Sequence, residues 1–206
     1  MAYSEFTLTE LVQRFGLVVE THQDLFGSVA PVPVDSVIRT VIDRHLPVAI
    51  NMNTEKARAE LLIAPVLAEV LRLTGNRISF YSGADFNVDR ATRLMGEADF
   101  LFTRGPQVPE VSEPVVVVVE AKKENIGGAY GQCGAEMVAA RQLNERAKTG
   151  VETIYGCVTL GDQWKFLVLD GGRLRIDPPT YTLHQLDRIL GILLHMVGFN
   201  PPPTLP

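Results

Sequence analysis

The sequence predicts an α/β (α+β) fold in which a mixed central β-sheet is flanked by helices. Its 206 residues, 46% hydrophobic and 21% charged, suit one globular domain that needs no metal or disulfide for folding. The hydrophobic period changes from helical to strand-like after Gly75-Asn76 and returns to helical after Gly127. Five consecutive valines, Val115–Val119, predict a strand covered on both faces. An antiparallel meander that feeds a crossover helix is typical of a mixed sheet with helices on it.

Two helices are predicted near the N-terminus. Thr7 and Glu10 have the spacing of a capping box, and apolar residues then recur at helical spacing. Glycine and prolines interrupt this pattern over Gly27–Pro33. Asp35 or Ser36 can cap the second helix, because both side chains can accept a hydrogen bond from the first helical turn.

A third helix should run from about Glu55 to Leu73. Asn53 or Thr54 can cap it, and Gly75-Asn76 should end it. Pro65 lies inside this segment and should bend the helix, because its ring removes one backbone donor.

The central part of the chain should form strands and then a helix. Short runs rich in β-branched and aromatic residues predict four strands: Ile78–Ser82, Phe86–Val88, Asp99–Thr103 and Val115–Glu120. The alanine-rich segment Gly127–Lys148 returns to a helical pattern and should cross over the sheet.

The C-terminal part should add to the same sheet. Strands over Thr153–Val158 and Trp164–Leu169 are separated by Gly161-Asp162, which predicts a hairpin. Leu174–Ile176 is a candidate edge strand, and Tyr181–Val197 predicts a closing amphipathic helix.

These elements predict a single domain over residues 1–206. We expect N-terminal helical decoration over 1–52, a core over 53–170, and a C-terminal strand, helix and proline-rich tail over 171–206. The tail, Asn200–Pro206, has four prolines in seven residues and should be extended.

Composition limits the possible partners and compartment. The net charge of −5 predicts no strong non-specific attraction to nucleic acid or to anionic membranes. No aliphatic run approaches the ~20 residues of a membrane helix, and no secretory signal pattern opens the chain. Cys133 and Cys157 lie in apolar segments and should be buried, reduced thiols. We therefore expect a soluble, cytoplasmic protein.

The strongest chemical signal follows the valine run. Glu120 and Lys122 are two residues apart, so on a strand they point to the same face, ~6.7 Å apart. A charge removed from water needs a partner or a metal ion, because desolvation costs several kcal/mol. The alternative is that both residues mark an exposed strand end, where surface charges are common.

Three more polar residues occur in a suggestive order. Asp99 begins an apolar strand, and a hairpin would place it beside Glu120. Glu60 lies on the third helix, and Gln132 lies early in the alanine-rich helix. Each has an alternative interpretation: Asp99 as a turn acid, Glu60 as the i,i+4 partner of Lys56, and Gln132 as an exposed helix residue.

Together these residues resemble the PD-(D/E)XK nuclease superfamily, which has the restriction-endonuclease-like fold. The family core, α-β-β-β-α-β, corresponds to about 55–169, with extra N-terminal helices and a C-terminal helix. The resemblance implies that Asp99 is the first acid and that Glu120-Ala121-Lys122 is the (D/E)xK motif. It also implies that Glu60 is the acid of the first core helix and Gln132 the glutamine of the following helix. Ala98 replaces the proline that names the motif.

The resemblance implies a metal-dependent nuclease that acts on DNA more than on RNA. Asp99, Glu120 and Glu60 would hold Mg²⁺, with Mn²⁺ as a substitute, through oxygen ligands. Lys122 would orient or help to deprotonate the attacking water, since burial can lower the pKa of an ammonium group. Gln132 would hydrogen-bond the phosphate or the lysine. The alternative is a catalytically silent nucleic-acid-binding or assembly subunit of the same fold.

The closing helix suggests a homodimer, because many nucleases of this fold act on both strands of a duplex. Its apolar positions form the expected interface: Leu186, Ile189, Leu190, Leu193 and Val197.

Overall fold

The computed structural model describes residues 3–199, and the tail predicted over Asn200–Pro206 lies outside them. A mixed β-sheet forms the centre of the described chain. Its strands are β1 (Val18–Glu20), β2 (Ser79–Asp85), β3 (Glu97–Thr103), β4 (Val115–Ala121), β5 (Thr153–Thr159), β6 (Gln163–Asp170), β7 (Arg173–Ile176) and β8 (Tyr181–Thr182). Their order is β1-β7-β6-β5-β4-β3-β2, and β8 pairs with β6.

The pairing confirms the predicted mixed sheet. β2, β3 and β4 form an antiparallel meander, β4 and β5 are parallel, and β5 and β6 form the predicted antiparallel hairpin. All seven residues of β4 are buried, as the valine run predicts for a central strand.

Helices cover both faces of this sheet. They are α1 (Leu8–Phe15), α2 (Ser36–Met52), α3 (Glu55–Arg58), α4 (Ala64–Leu73), α5 (Tyr130–Arg146) and α6 (Leu186–Met196). α2, α4 and α6 share one hydrophobic cluster with one face of β4, whereas α1 and α5 share a second cluster with the other face. Cys133 and Cys157 are buried free thiols, as expected.

The predicted helix caps are present. Thr7 and Glu10 form a complete capping box at α1. The Asp35 carboxylate accepts from the Val37 N–H at 2.7 Å, and the Thr54 hydroxyl accepts from the Ala57 N–H at 3.1 Å. These bonds satisfy donors that the first helical turn leaves without partners.

A π-helical turn over Ala59–Ile63 joins α3 to α4 directly before Pro65. The helical hydrogen-bond pattern is irregular before this proline, and the irregularity takes the form of a widened turn. Pro65 has no N–H to offer the Leu61 carbonyl, and His45 Nδ1 lies 3.0 Å from that oxygen. Because a carbonyl only accepts, Nδ1 must carry the hydrogen, and His45 replaces the missing helical bond.

Three predictions of elements were wrong. Phe86–Val88 is not a strand, because its backbone bonds the following turn, with the Val88 N–H donating to the Leu94 carbonyl. β7 is not an edge strand, because β1 pairs with it in parallel. The closing helix begins only at Leu186, since Tyr181–Thr182 extends along β6 and a 3-10 turn follows.

The dimer interface predicted on the closing helix is also wrong. All five of its proposed residues are buried against the chain's own core. α6 covers a sheet face of the same molecule, so these side chains are not available to a second copy. Among residues 3–199, no helix combines the length and apolar character needed to cross a bilayer.

Candidate functional site

The two predicted strand acids are neighbours. β3 and β4 pair with Phe100 opposite Val119, so Asp99 at the start of β3 adjoins Glu120 near the end of β4. The Asp99 Oδ2 atom accepts from the Ala121 backbone N–H at 2.8 Å. The side chain of one strand is thereby held to the end of the other, and its interpretation as a free turn acid is wrong.

Glu120 and Lys122 converge as their i,i+2 spacing predicts. Lys122 Nζ forms an ion pair with Glu120 Oε1. The Glu120 side chain is 0% exposed and that of Lys122 is 26% exposed. Glu120 is therefore not the solvated end of a strand, and the pair reaches from the interior toward the surface.

Gln132 lies beside this pair on α5, but its partner is another acid. Its Nε2 donates to Glu136 Oε1 at 3.3 Å, and Glu136 is 0% exposed. The sequence analysis missed Glu136. A signal was present, because it is the one charged residue in the segment Gln132–Ala140, which is otherwise small or apolar after its first residue.

The outer wall of a cleft of about 330 Å³ is formed by α3 and the π-helical turn that follows it. Glu60 lies on this wall, and Asp99 lies on the sheet side of the same cleft. The Glu60 side chain is 64% exposed, and its Oε1 lies 3.7 Å from Lys56 Nζ. The surface ion pair considered for Glu60 is thus present, and its role as a metal ligand stays a prediction. Glu55, which the sequence analysis did not single out, also lines the cleft.

Burial dominates the electrostatics of the inner carboxyls. It raises the pKa of Glu120 to about 8, with a further rise from the Asp99 charge and an opposing effect from Lys122. Burial also raises the pKa of Asp99, against the Ala121 N–H and Lys122. The pKa of Glu136 is raised by burial and then by the charge of Glu120.

The expectation of a lowered lysine pKa was wrong. Burial alone would lower the pKa of Lys122, but its ion pair with Glu120 outweighs that effect and the pKa is raised. The charges of Glu55 and Asp99 add to the rise. Lys122 is therefore protonated whenever Glu120 is ionised.

The site contains oxygen atoms of the kind that bind a hard cation. Glu120 Oε2 and Glu136 Oε2 are buried and receive no hydrogen bond from a donor of the described chain, although the two carboxyl groups lie within hydrogen-bonding reach of each other. Oxygen atoms of this kind suit Mg²⁺ or Mn²⁺, which prefer carboxylate and water ligands. Within the described residues, however, no three His, Cys, Asp or Glu side chains are already placed to hold one ion together. Water or a side-chain rotation would have to complete the coordination.

Comparison with known proteins assigns no family to this site: no protein-family model, curated protein or solved structure matches the chain.

Proposed function

We propose that this chain is a divalent-metal-dependent nuclease-like protein that hydrolyses nucleic-acid phosphodiester bonds, with DNA favoured over RNA. The observation that supports it is the ion pair between buried Glu120 and half-buried Lys122 beside Asp99, where two central strands adjoin. A helix-borne acid, Glu60, lies across the same cleft. These are the residue types, in the chain order, that the resemblance to the PD-(D/E)XK superfamily requires.

Asp99 and the free oxygen of Glu120 would hold the cation, with Glu60 reached directly or through water. A bound Mg²⁺ supplies positive charge at the phosphate and a more acidic water. The cation also answers a problem of charge. Among the described residues, the basic side chain that lines the cleft is Lys56, whereas four acids line it: Glu55, Glu60, Glu97 and Asp99. Without a bound cation, this cleft would repel a polyanion.

Lys122 acts in this proposal as a cation and hydrogen-bond donor. Its raised pKa keeps the proton on Nζ, so it orients the attacking water and the phosphate oxygens and does not remove a proton. The Ala121 N–H holds Asp99 in position beside Glu120. Placement of this kind reduces the entropy lost when reactants are aligned.

Cleavage assays with matched lysine variants test this proposal. The purified chain is given Mg²⁺ or Mn²⁺ and end-labelled DNA or RNA, and Lys122→Ala is compared with Lys123→Ala. Lys123 is the exposed neighbour of Lys122. We expect Lys122→Ala to lose about 10²-fold or more in rate, and Lys123→Ala to stay within about threefold. Cleavage that persists in chelator and in Lys122→Ala would contradict the proposal.

A catalytically silent binding or assembly subunit is the second candidate. The acidic cleft and the lack, within the described residues, of a ready-made set of three ligands favour it. Titration calorimetry separates the two functions. Mg²⁺ uptake that disappears in Glu120→Gln supports the nuclease, whereas no carboxylate-dependent uptake supports the silent subunit.

A further inference from the structure

Two buried carboxyl groups lie close together, Glu120 from the sheet and Glu136 from α5. Glu120 and Glu136 are each 0% exposed. One oxygen of each is held: Glu120 Oε1 by Lys122 and Glu136 Oε1 by Gln132. The other oxygen of each, Oε2, has no partner.

The nearby donors are already in use. Tyr3 lies close enough for the charge of Glu136 to raise the pKa of its phenol further after burial, but its hydroxyl donates to the Phe86 carbonyl at 2.6 Å. The Cys133 thiol, on the same helix as Glu136, lies 3.8 Å from the Cys157 carbonyl. No donor of the described chain therefore reaches the two Oε2 atoms. The two carboxyl groups lie close enough to hydrogen-bond each other if a proton is shared between them.

Unpaired buried carboxylate oxygens are strongly unfavourable, so they are normally matched by a donor or a cation. Here the two free oxygens come from different elements, β4 and α5, and their other oxygens are already held. Each carboxyl is fixed by a hydrogen bond to its Oε1 atom and keeps Oε2 for another partner. Such an arrangement suits a small, hard cation.

We propose that Glu136 is a cation ligand, and that a divalent cation binds between the free Oε2 atoms of Glu120 and Glu136. The inference rests on the proposed function only in that both use Glu120. It extends the ligand set to the α5 side of the sheet, beyond the acids that the sequence singled out. Gln132 is then a positioning residue, which holds Glu136 and does not contact the phosphate.

A shared proton is the competing arrangement. A hydrogen between the two carboxyls would satisfy both free oxygens and leave no place for a metal ion. The two arrangements differ in a measurable way, because only the cation site binds Mn²⁺ and loses that binding when Glu136 becomes neutral.

The test is Mn²⁺ binding to the full chain, measured from the electron paramagnetic resonance of free Mn²⁺ and from the melting temperature. Glu136→Gln is compared with Glu145→Gln, the same substitution at an exposed position of the same helix. We expect Glu136→Gln to weaken Mn²⁺ binding at least tenfold and to abolish the Mn²⁺-induced rise in melting temperature. Glu145→Gln should change affinity less than twofold.

Gln132→Leu serves as a second variant, because it leaves both carboxyls in place and removes only the clamp on Glu136. We expect it to weaken Mn²⁺ binding by a smaller factor than Glu136→Gln. Circular dichroism without Mn²⁺ confirms that each variant is folded. Wild-type binding by Glu136→Gln, or no Mn²⁺ uptake by the wild-type chain, would overturn the inference.

Its failure can be told apart from failure of the proposed function. Glu136-dependent Mn²⁺ binding without cleavage of DNA or RNA leaves the inference standing and removes the nuclease. Lys122-dependent cleavage with normal Mn²⁺ binding by Glu136→Gln leaves the nuclease and removes the inference.

Discussion

Asp99 accepts a hydrogen bond from the backbone N–H of Ala121 at 2.8 Å, so the acid of one strand is held by the backbone of the next. Ala121 lies between Glu120 and Lys122, and this bond therefore sets Asp99 against the ion pair. Glu120 is buried and Asp99 and Lys122 are half-buried, and the pairing of β3 with β4 brings the two acids together.

Asp99→Asn removes the charge of this acid but keeps an oxygen that can accept the hydrogen bond from the Ala121 N–H. The amide oxygen can still accept from the Ala121 N–H, so the free energy of unfolding should change by less than about 1 kcal/mol. Cleavage should fall about 10²-fold or more, because a neutral amide is a poor cation ligand. Rates and urea unfolding measure the two effects. Asp99→Ala is the comparison and should lose stability as well, and equal rates for Asp99→Asn and wild type would contradict the assignment.

Asp177 should make stability depend on pH. It is buried, it accepts from the Leu25 N–H at 2.8 Å and the Tyr181 hydroxyl at 3.0 Å, and burial raises its pKa. A raised folded-state pKa means that the native state holds the proton more tightly than the unfolded chain. The contribution of Asp177 to the free energy of unfolding is complete below the pKa of the unfolded chain, about 3.9. It is lost as pH rises through the folded-state pKa.

Asp177→Asn should remove this pH-dependent loss. Relative to wild type, the free energy of unfolding of Asp177→Asn should therefore increase as pH rises from about 4 to about 8, as measured by urea titration. Asp170→Asn, at an exposed position, is the control and should show no such trend. A difference between Asp177→Asn and wild type that stays constant with pH would be inconsistent with a raised pKa.

His45 and Pro65 should be energetically coupled. His45→Ala leaves the Leu61 carbonyl without its donor and should cost about 1–2 kcal/mol. In a Pro65→Ala background the new N–H can bond Leu61, so the same histidine change should cost less. A double-mutant cycle by urea unfolding measures the coupling, with the exposed His22→Ala as control. Strict additivity would show that His45 does not replace the bond that Pro65 removes.

Gly131 should not tolerate a side chain. A Cβ there would lie 2.2 Å from the Phe6 carbonyl oxygen, at the contact between the N-terminal segment and α5. Gly131→Ala should cost about 1–3 kcal/mol, because backbone must move to admit the methyl group. Gly127→Ala is the matched control, since the atom nearest to a Cβ at that position would be 3.9 Å away. Similar melting temperatures for both variants would show that the N-terminal segment is not packed tightly on α5.

Local patterns predicted the parts of the fold that local interactions decide. The caps at Thr7, Asp35 and Thr54 are bonds between residues two or three positions apart. The five valines before Glu120 predicted a central strand, because only a strand covered on both faces favours such a run. The i,i+2 spacing of Glu120 and Lys122 similarly predicted their meeting, because it follows from strand geometry alone.

Local sequence patterns could not predict contacts between segments that are far apart in the chain. β1 has only three residues, and its pairing with β7 depends on a parallel contact across more than 150 positions. The apolar face of α6 predicted burial, but whether its partner is a second copy or the chain's own sheet is decided only when the sheet is assembled.

The sequence by itself determined which strands bear Asp99 and Glu120 and that Lys122 lies beside the second acid. Only the tertiary structure decided that Glu136, the i,i+4 partner of Gln132, is buried next to Glu120, and that Glu60, the i,i+4 partner of Lys56, lies exposed on the cleft wall. The physical reason is that charge placement in a strand follows from alternation over two residues. Whether a helical side chain is buried or exposed depends instead on how the helix packs against the sheet, which involves residues far apart in the chain.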